Sequence, residues 1–479
     1  MPLDPQRCYQ ALKTHDARSD GRFFVGVSST GIYCRPVCSG RTPKPANCSF
    51  YPSAAAAEAA GYRPCLRCRP ELAPGNAAVD ANARLAHAAA GLIEDDLLAD
   101  GGVSDLAQRL SVSDRHLRRV FRAELGVTPV QFTQTQRLLL AKRLLTDTPL
   151  PVTEVALASG FGSLRRFNAL FRARYRLSPS DLRRRTAAHE VPEALEFALR
   201  FRPPLDWTAL LAFLARRTVA GVEHVDDGVY LRTVRVEHNG AVYAGWIAAR
   251  LAADGAAVCI ALSASLSRVI PLVLTRVKRV FDLACDPEQV AAALGALGAR
   301  NPGLRLPGAF DGFEAAVRGI LGQQVTVKSA HTLAGRFAAA FGEPVASFHP
   351  ALSVAFPAPQ RIAALEPAQI AVLGVIRTRA SAIVGIAREI AQGRLRLEPT
   401  ADVGATLTAL RAIPGIGEWT AQYIAMRALA WPDAFPHTDY GVLKALNETD
   451  PRHALRRAEA WRPWRAYAVM HLWKSLESA

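Results

Sequence analysis

Five of the eight cysteines fall between Cys34 and Cys68, while Cys8, Cys259 and Cys285 stand apart. Cys34-Arg-Pro-Val-Cys38 followed by Cys65-Leu-Arg-Cys68 makes two short loops. Each can bring two thiolates to one tetrahedral ion, and zinc is the usual occupant. Four thiolates around one divalent zinc leave a net charge of about −2 and keep the sulfurs nucleophilic at neutral pH. By spacing alone, a purely structural site is the favoured reading over a reactive one. A second run, Ile413-Pro-Gly415-Ile-Gly417-Glu-Trp419-Thr-Ala-Gln-Tyr423, has glycines for a tight turn whose bare N–H groups can face a phosphate. Trp419 and Tyr423 are four apart, so they share a helix face beside one cavity. Asp439 follows Gly417 by 22 residues, in Phe435-Pro-His-Thr-Asp439-Tyr440. There a carboxylate is either a plain helix cap or a reagent.

The elements that must position these groups differ along the chain. Residues 1–75 are rich in Pro, Gly, Arg and Cys, which describes a small domain whose core needs a metal. From Asn82 to about Arg185 the texture is helical. Val103–Phe121 reads as helix, turn and a Ser113-capped basic helix, and Val152–Phe171 repeats that plan with Ser163. Arg115, Arg118, Arg119 and Arg122 face outward from the first unit; Arg165, Arg166 and Arg172 face outward from the second. Basic side chains at the start of a second helix suit major-groove docking, although such a helix is also an ordinary solvated face. Thr186–Glu196 reads as a linker. Strands are expected at Tyr230–Val236, Ala241–Ala248 and Ala257–Leu262, with helices at Trp207–Arg217 and Leu272–Phe281. After Asn301-Pro-Gly303 the chain is helical almost to its end.

The chain has 479 residues, with 58 Lys plus Arg against 42 Asp plus Glu, a formal charge of +16 and a pI near 9.9. That balance points to a polyanionic partner. No stretch of ~20 residues is free of charge, and the most apolar, Ile247–Leu266, carries Arg250 and Asp254, so a membrane partner is not expected. The N-terminus, Met1–Gln10, lacks an apolar signal core. A cytoplasmic, nucleoid-associated monomer is the expectation, with the clustered cysteines serving metal or thiol chemistry instead of disulfides.

Several motifs carry family resemblances. Thr30-Gly-Ile-Tyr-Cys34-Arg-Pro-Val-Cys38, Asn47-Cys-Ser-Phe-Tyr51 and Gly61-Tyr-Arg-Pro-Cys65-Leu-Arg-Cys68 closely resemble the N-terminal domain of the Ada methylphosphotriester-sensing family. The resemblance implies Cys34 as both ligand and methyl acceptor, with Cys38, Cys65 and Cys68 as the other ligands; Cys48 matches no ligand and is read as a packing residue. Methylating Cys34 would turn a thiolate into a thioether, moving the cluster from about −2 to about −1 and easing repulsion of DNA phosphates. The tandem helical units, with Gly126-Val-Thr-Pro129 and Leu177-Ser-Pro179 after them, resemble the double helix-turn-helix of the AraC family. Arg176 stands where that family usually has glycine. Transcriptional activation, and with it RNA polymerase as a partner, follows from these two resemblances.

The C-terminal half resembles the helix-hairpin-helix DNA glycosylase superfamily, and within it the AlkA subgroup, through Arg202-Pro-Pro-Leu-Asp-Trp207, Pro302–Gly308, Ile320-Leu-Gly-Gln-Gln324 and Trp461-Arg-Pro-Trp464-Arg-Ala-Tyr467. This implies a small antiparallel α+β subdomain on an all-α glycosylase core, and double-stranded alkylated DNA as substrate. Asp439 would be the catalytic carboxylate and Trp419, Tyr423, Trp473 and Phe213 the base pocket. Gln324 would stand at the wedge position, with Gly415 and Gly417 on the DNA backbone. Relatives with lyase activity carry lysine where this chain has Trp419, and no cysteine cluster follows the core, so a monofunctional glycosylase without an iron–sulfur cluster is expected. No Pro-Cys-His acceptor motif is present. The expected domains are 1–75, 80–185, 192–304 and 305–479. Two other readings stay open: a transcription regulator whose glycosylase half is degenerate, and a glycosylase whose zinc site is structural only.

Overall fold

The computed structural model describes residues 3–73, 81–95, 102–110, 112–184, 194–238 and 240–477. The expected breaks at 75–80 and 185–192 lie outside the described residues.

Near the N-terminus, β1 (Phe24–Val27), β2 (Ile32–Cys34), β3 (Cys48–Tyr51) and β4 (Arg63–Pro64) form a four-stranded sheet in the order β3-β1-β2-β4. The β2–β4 pair is parallel, so Cys34 at the end of β2 and Cys65 just after β4 emerge at the same edge. Sheet topology, not sequence proximity, assembles the cysteines.

The two helix-turn-helix units appear as Val103–Arg109 with Asp114–Leu125, and Val152–Ala158 with Leu164–Tyr175. Ser113 accepts from the His116 N–H at 3.3 Å and Ser163 from the Arg166 N–H at 3.4 Å, which starts each basic helix. The first basic helix ends at Gly126 with φ +77°, and the second ends at Arg176 with φ +54°. Arginine therefore occupies the left-handed position that glycine takes in the first unit, at a cost of about 1–2 kcal/mol. Between the units runs the long helix Pro129–Asp147, whose Leu138, Ala141, Leu144 and Leu145 are buried.

The second sheet is wholly antiparallel, in the order β5-β9-β8-β7-β6, with β5 Ala194–Arg200, β6 Glu223–Asp226, β7 Val229–His238, β8 Ala241–Leu251 and β9 Ala257–Ser263. The predicted strands are therefore present, each slightly longer than expected. One expectation fails at Ala194, Leu195 and Glu196, assigned to the end of the Thr186–Glu196 linker but lying inside β5. Leu195, Phe197 and Leu199 alternate inward while the strand pairs with β9. Burying three such side chains gives roughly 5–9 kcal/mol, enough to recruit the segment into the sheet.

The remaining chain is helical apart from a short antiparallel pair, Glu343–Pro344 with Val354–Ala355. Helix Val403–Ala412, the turn to Gly417 and helix Glu418–Arg427 form a hairpin, and Tyr440–Leu446 and Arg465–Ser475 pack together beside it. One hydrophobic cluster runs through the second helix-turn-helix unit, the five-stranded sheet and the C-terminal helices. The first unit shares a separate cluster with Ala55 and Ala56 of the N-terminal domain.

That N-terminal domain is also tied down by buried charge. Glu58, fully buried, accepts from the Tyr33 hydroxyl at 3.0 Å and the Thr135 hydroxyl at 3.1 Å, and pairs with Arg174 at 3.3 Å. Lys142 meets Glu71 at 2.8 Å, and Arg22 meets Asp286 of the sheet subdomain at 2.5 Å. Among the described residues no helix is long and apolar enough to cross a membrane.

Candidate metal centre and active-site cleft

The sulfurs of Cys34, Cys38, Cys65 and Cys68 all lie within 4.8 Å of one another. A tetrahedral zinc with bonds of about 2.3 Å needs sulfurs about 3.8 Å apart, so this set fits one zinc ion held by four cysteines. Cys38 and Cys65 are buried, and Cys34 and Cys68 are partly open. Cys48 lies outside the cluster, packing beside the N-terminal core with its thiol directed at the Lys44 carbonyl. Arg35, between Cys34 and Cys38, is 1% exposed; it pairs with buried Asp20 and donates to the Cys68 carbonyl at 3.0 Å. Its own backbone N–H points at the Cys68 sulfur at 3.4 Å. One buried guanidinium thus joins the two cysteine loops, and a positive charge beside thiolates offsets part of their repulsion.

The exposed arginines sit as the two helical units require. Arg115, Arg118, Arg119, Arg165 and Arg166 are all exposed at the starts of their helices. Arg118 pairs with Asp114 at 2.6 Å and Arg119 contacts the His116 ring at 3.1 Å. Pairs this open contribute little stability, leaving the guanidiniums free to exchange partners for phosphate.

In the C-terminal half an open cleft of about 1340 Å³ is lined by Gln323, Gln324, Gly415, Gly417, Trp419, Tyr423, Asp439 and Trp473 among others. Asp439 caps the Tyr440–Leu446 helix, its Oδ1 accepting from the Val442 N–H at 2.9 Å. Both indoles also reach it: Trp473 Nε1 donates to Oδ1 at 2.9 Å and Trp419 Nε1 to Oδ2 at 2.8 Å. Three N–H donors hold this carboxylate in one orientation at the cleft wall, so cap and candidate reagent are the same group. A Cβ at Gly441 would come within 3.1 Å of both Asp439 Oδ1 and Trp473, so only glycine leaves the pair undisturbed.

Trp419 and Tyr423 stack at 5.3 Å with planes 16° apart, as expected for residues one turn apart. Phe213 is placed differently from the expectation. It is 6% exposed and lies behind the wall, stacked on Trp473 at 6.4 Å, with the Arg217 guanidinium 3.8 Å from its ring centre. Arg217 is what reaches the cleft. The helix Trp207–Ala215 is apolar on most faces, so Phe213 goes into the core and the cation at the next turn covers it.

Arg217, Arg318 and Arg427 were not foreseen as neighbours of the site. Arg318 bridges Glu223 and Glu314 at 2.9 and 2.8 Å, and Arg427 contacts the Tyr423 hydroxyl at 3.4 Å. Burial works to raise the Tyr423 hydroxyl, but the Arg427, Arg217 and Arg318 charges outweigh it and hold that group below its ordinary value. The i, i+4 spacing of Phe213 to Arg217 and of Tyr423 to Arg427 is the signal that could have found two of them.

Gly415 has φ +91°, and a Cβ there would meet Ala382 at 3.2 Å and the Thr378 carbonyl at 3.3 Å, so both conformation and space demand glycine. Gly415 and Gly417 are exposed at the hairpin turn, open to a backbone ligand. Gln324 is exposed on the turn between helices Gly312–Leu321 and Val327–Phe341, with φ +50°.

Known families match four successive stretches of the chain. The metal binding domain of Ada matches residues 7–71, a helix-turn-helix domain matches 106–185, the AlkA N-terminal domain matches 196–311, and the HhH-GPD superfamily of base excision DNA repair proteins matches 317–465. A Mycobacterium tuberculosis protein described as a probable bifunctional transcriptional activator/DNA repair enzyme AlkA is 38% identical over 492 residues, covering 100% of this chain and 97% of that one. DNA-3-methyladenine glycosylase 2 of Escherichia coli is 41% identical over 278 residues, 58% of this chain and 96% of its own length. The bifunctional transcriptional activator/DNA repair enzyme Ada of Escherichia coli is 40% identical over 141 residues, 29% of this chain and 37% of its own. The glycosylase superfamily match and the Asp439 cleft occupy one end of the chain, and the helix-turn-helix match and the four-cysteine zinc site the other. The chain belongs to the family of AlkA-type bifunctional transcriptional activator/DNA repair enzymes.

Proposed function

We propose that this protein hydrolyses the N-glycosidic bond of alkylated purines of the 3-methyladenine type in double-stranded DNA, with Asp439 as the catalytic carboxylate. The observation that carries the reading is the Asp439 carboxylate, held by two indole N–H groups and a backbone N–H at the wall of an aromatic-lined cleft. Bond cleavage places positive charge on the sugar near C1′; a fixed carboxylate stabilises it and orients the water that completes hydrolysis. The damaged base must leave the stack, at a cost of a few kcal/mol, and rest against the Trp419, Tyr423 and Trp473 walls. An N3- or N7-alkylated purine is cationic, so it leaves without a strong general acid and favours electron-rich rings by ~0.5–2 kcal/mol each. Gly415 and Gly417 contact the backbone and Gln324 enters the duplex. The enzyme is monofunctional, since Trp419 offers no amine for a lyase step. Release of 3-methyladenine from methylated DNA, absent in Asp439→Asn, tests the reading; release at the wild-type rate from that variant overturns it.

At the other end, Cys34 takes one methyl group from a DNA methylphosphotriester. Its sulfur attacks the methyl carbon, the methyl C–O bond breaks, and the phosphodiester departs as an anion. Support comes from its place among the four clustered cysteines, as one of the two residues that are not fully buried. The loss of one negative charge raises DNA affinity, and the exposed Arg115, Arg118, Arg119, Arg165 and Arg166 then engage a promoter and, through it, RNA polymerase. The four units fall at about 1–75, 80–185, 192–304 and 305–479 in a cytoplasmic, monomeric protein. Mass spectrometry finding the added methyl on Cys34 after exposure to methylated DNA supports this; methyl transfer that survives Cys34→Ser refutes it.

A further inference from the structure

The turn that carries Gln324 is tied to the DNA-facing hairpin by its neighbour. Helix Gly312–Leu321 ends at Gly322, and the next helix begins only at Val327, capped by Thr326. In the interval Gln324 takes a left-handed φ of +50° with its side chain exposed at the cleft. Within the turn the Gln323 N–H donates to the Ile320 carbonyl at 3.2 Å, a bond that ties it only to the helix before it. Gln323 supplies the missing constraint. Its Nε2 donates to the Gly415 carbonyl at 3.0 Å and to the Thr420 hydroxyl at 2.8 Å. Both acceptors belong to the hairpin: Gly415 lies at its turn, and Thr420, 2% exposed, in the first turn of the following helix. One amide nitrogen therefore uses both hydrogens to join two segments about 90 residues apart in sequence.

We propose that Gln323 is a positioning residue for base excision: it latches the turn bearing Gln324 to the hairpin turn at Gly415, so that the hairpin's hold on the DNA backbone sets how far Gln324 enters the duplex. The proposal rests on the glycosylase reading above. The hairpin supplies the reference point, because its glycines place backbone directly against a phosphate. The wedge acts about a base-step away, and a fixed distance between the two turns converts backbone binding into strand opening. Without the latch, the chain still binds DNA through the hairpin and basic surface, but the turn recoils when it meets the stack.

The test uses the full-length protein and a duplex containing one 7-methylguanine flanked by 2-aminopurine, whose fluorescence rises when its neighbour leaves the stack. Flipping is read in an Asp439→Asn background, where chemistry is halted, and excision is read with Asp439 intact. Gln323→Ala is expected to bind undamaged duplex within about twofold of the parent. It should lose most of the fluorescence rise and slow single-turnover excision about tenfold. Gln323→Glu, the same size but without the amide donors, should behave likewise. Thr420→Ser, which keeps the hydroxyl acceptor, should retain both signals. An undiminished fluorescence rise in Gln323→Ala overturns the proposal. So does a loss of duplex affinity as large as the loss of flipping, since Gln323 would then merely hold the domain together. If the unsubstituted protein releases no 7-methylguanine, the enzyme reading has failed, and the fluorescence comparison still decides the role of Gln323.

Discussion

The indole Nε1 of Trp419 donates to Oδ2 of Asp439 at 2.8 Å, while the same indole stacks on Tyr423 at 5.3 Å. A residue that a base would rest against thus also aims the carboxylate. Trp473 does the same from the other side, stacked on Phe213 and bonded to Oδ1. Hydrogen bonds to a charged group contribute roughly 1.5–3 kcal/mol. Trp473→Phe keeps an aromatic ring against Phe213 and removes the donor together with the pyrrole part of the indole. It is expected to lower the single-turnover excision rate about tenfold or more while DNA affinity changes little. A weakened duplex affinity with an unchanged rate would show that the indole serves binding alone.

The four-cysteine set makes a clean prediction about metal content. Cys48→Ala should retain one zinc per chain, because the Cys48 thiol is directed at the Lys44 carbonyl, away from the cluster. Cys65→Ala should lose the metal, and chelation should unfold the N-terminal sheet, whose core is too small to stand without it. Zinc by atomic absorption and far-ultraviolet circular dichroism read the two effects. A Cys48→Ala protein lacking zinc would mean that the ligand set is wrong.

Burial pushes the Glu58 carboxyl up to about 7, against Arg174, Tyr33 and Thr135, which pull it down. Between the ordinary value of 4.5 and about 7 the folded chain holds a proton that the unfolded chain has released. This contribution is therefore greatest at low pH and is lost as pH rises through that window. Glu58→Gln carries no such titration. Comparing unfolding at about pH 5 and about pH 8, the wild type should lose roughly 2–3 kcal/mol more than Glu58→Gln. Equal losses would mean that Glu58 is charged throughout, compensated by Arg174.

Arg176 holds φ +54° at the end of the second basic helix. Arg176→Gly relieves a left-handed strain worth about 1–2 kcal/mol, partly offset by greater freedom of the unfolded chain. A net gain of about 1 kcal/mol is expected, measured as a higher denaturant midpoint for the part of the transition that follows this unit. No gain would mean that the Arg176 side chain makes a compensating contact.

Local chemistry was legible in the residues themselves. The paired cysteine spacings, the Ser113 and Ser163 caps, the glycine turn at 413–417 and the alternation in the strands each act within a few positions, so residue order alone carries them. Tertiary structure decided what depends on distant partners. Phe213 went behind the wall because it lies on the buried side of its apolar helix, and Arg217 came forward in its place. Glu58 lies in the alanine-rich helix Ala54–Ala59, and docking against Thr135 and Arg174 makes it a buried junction. The Trp–Asp bonds and the Gln323 latch join segments 20 to 97 residues apart, and no periodicity encodes a contact at that range. What a side chain can do follows from its type and near neighbours, but what it touches follows from how the whole chain closes its core.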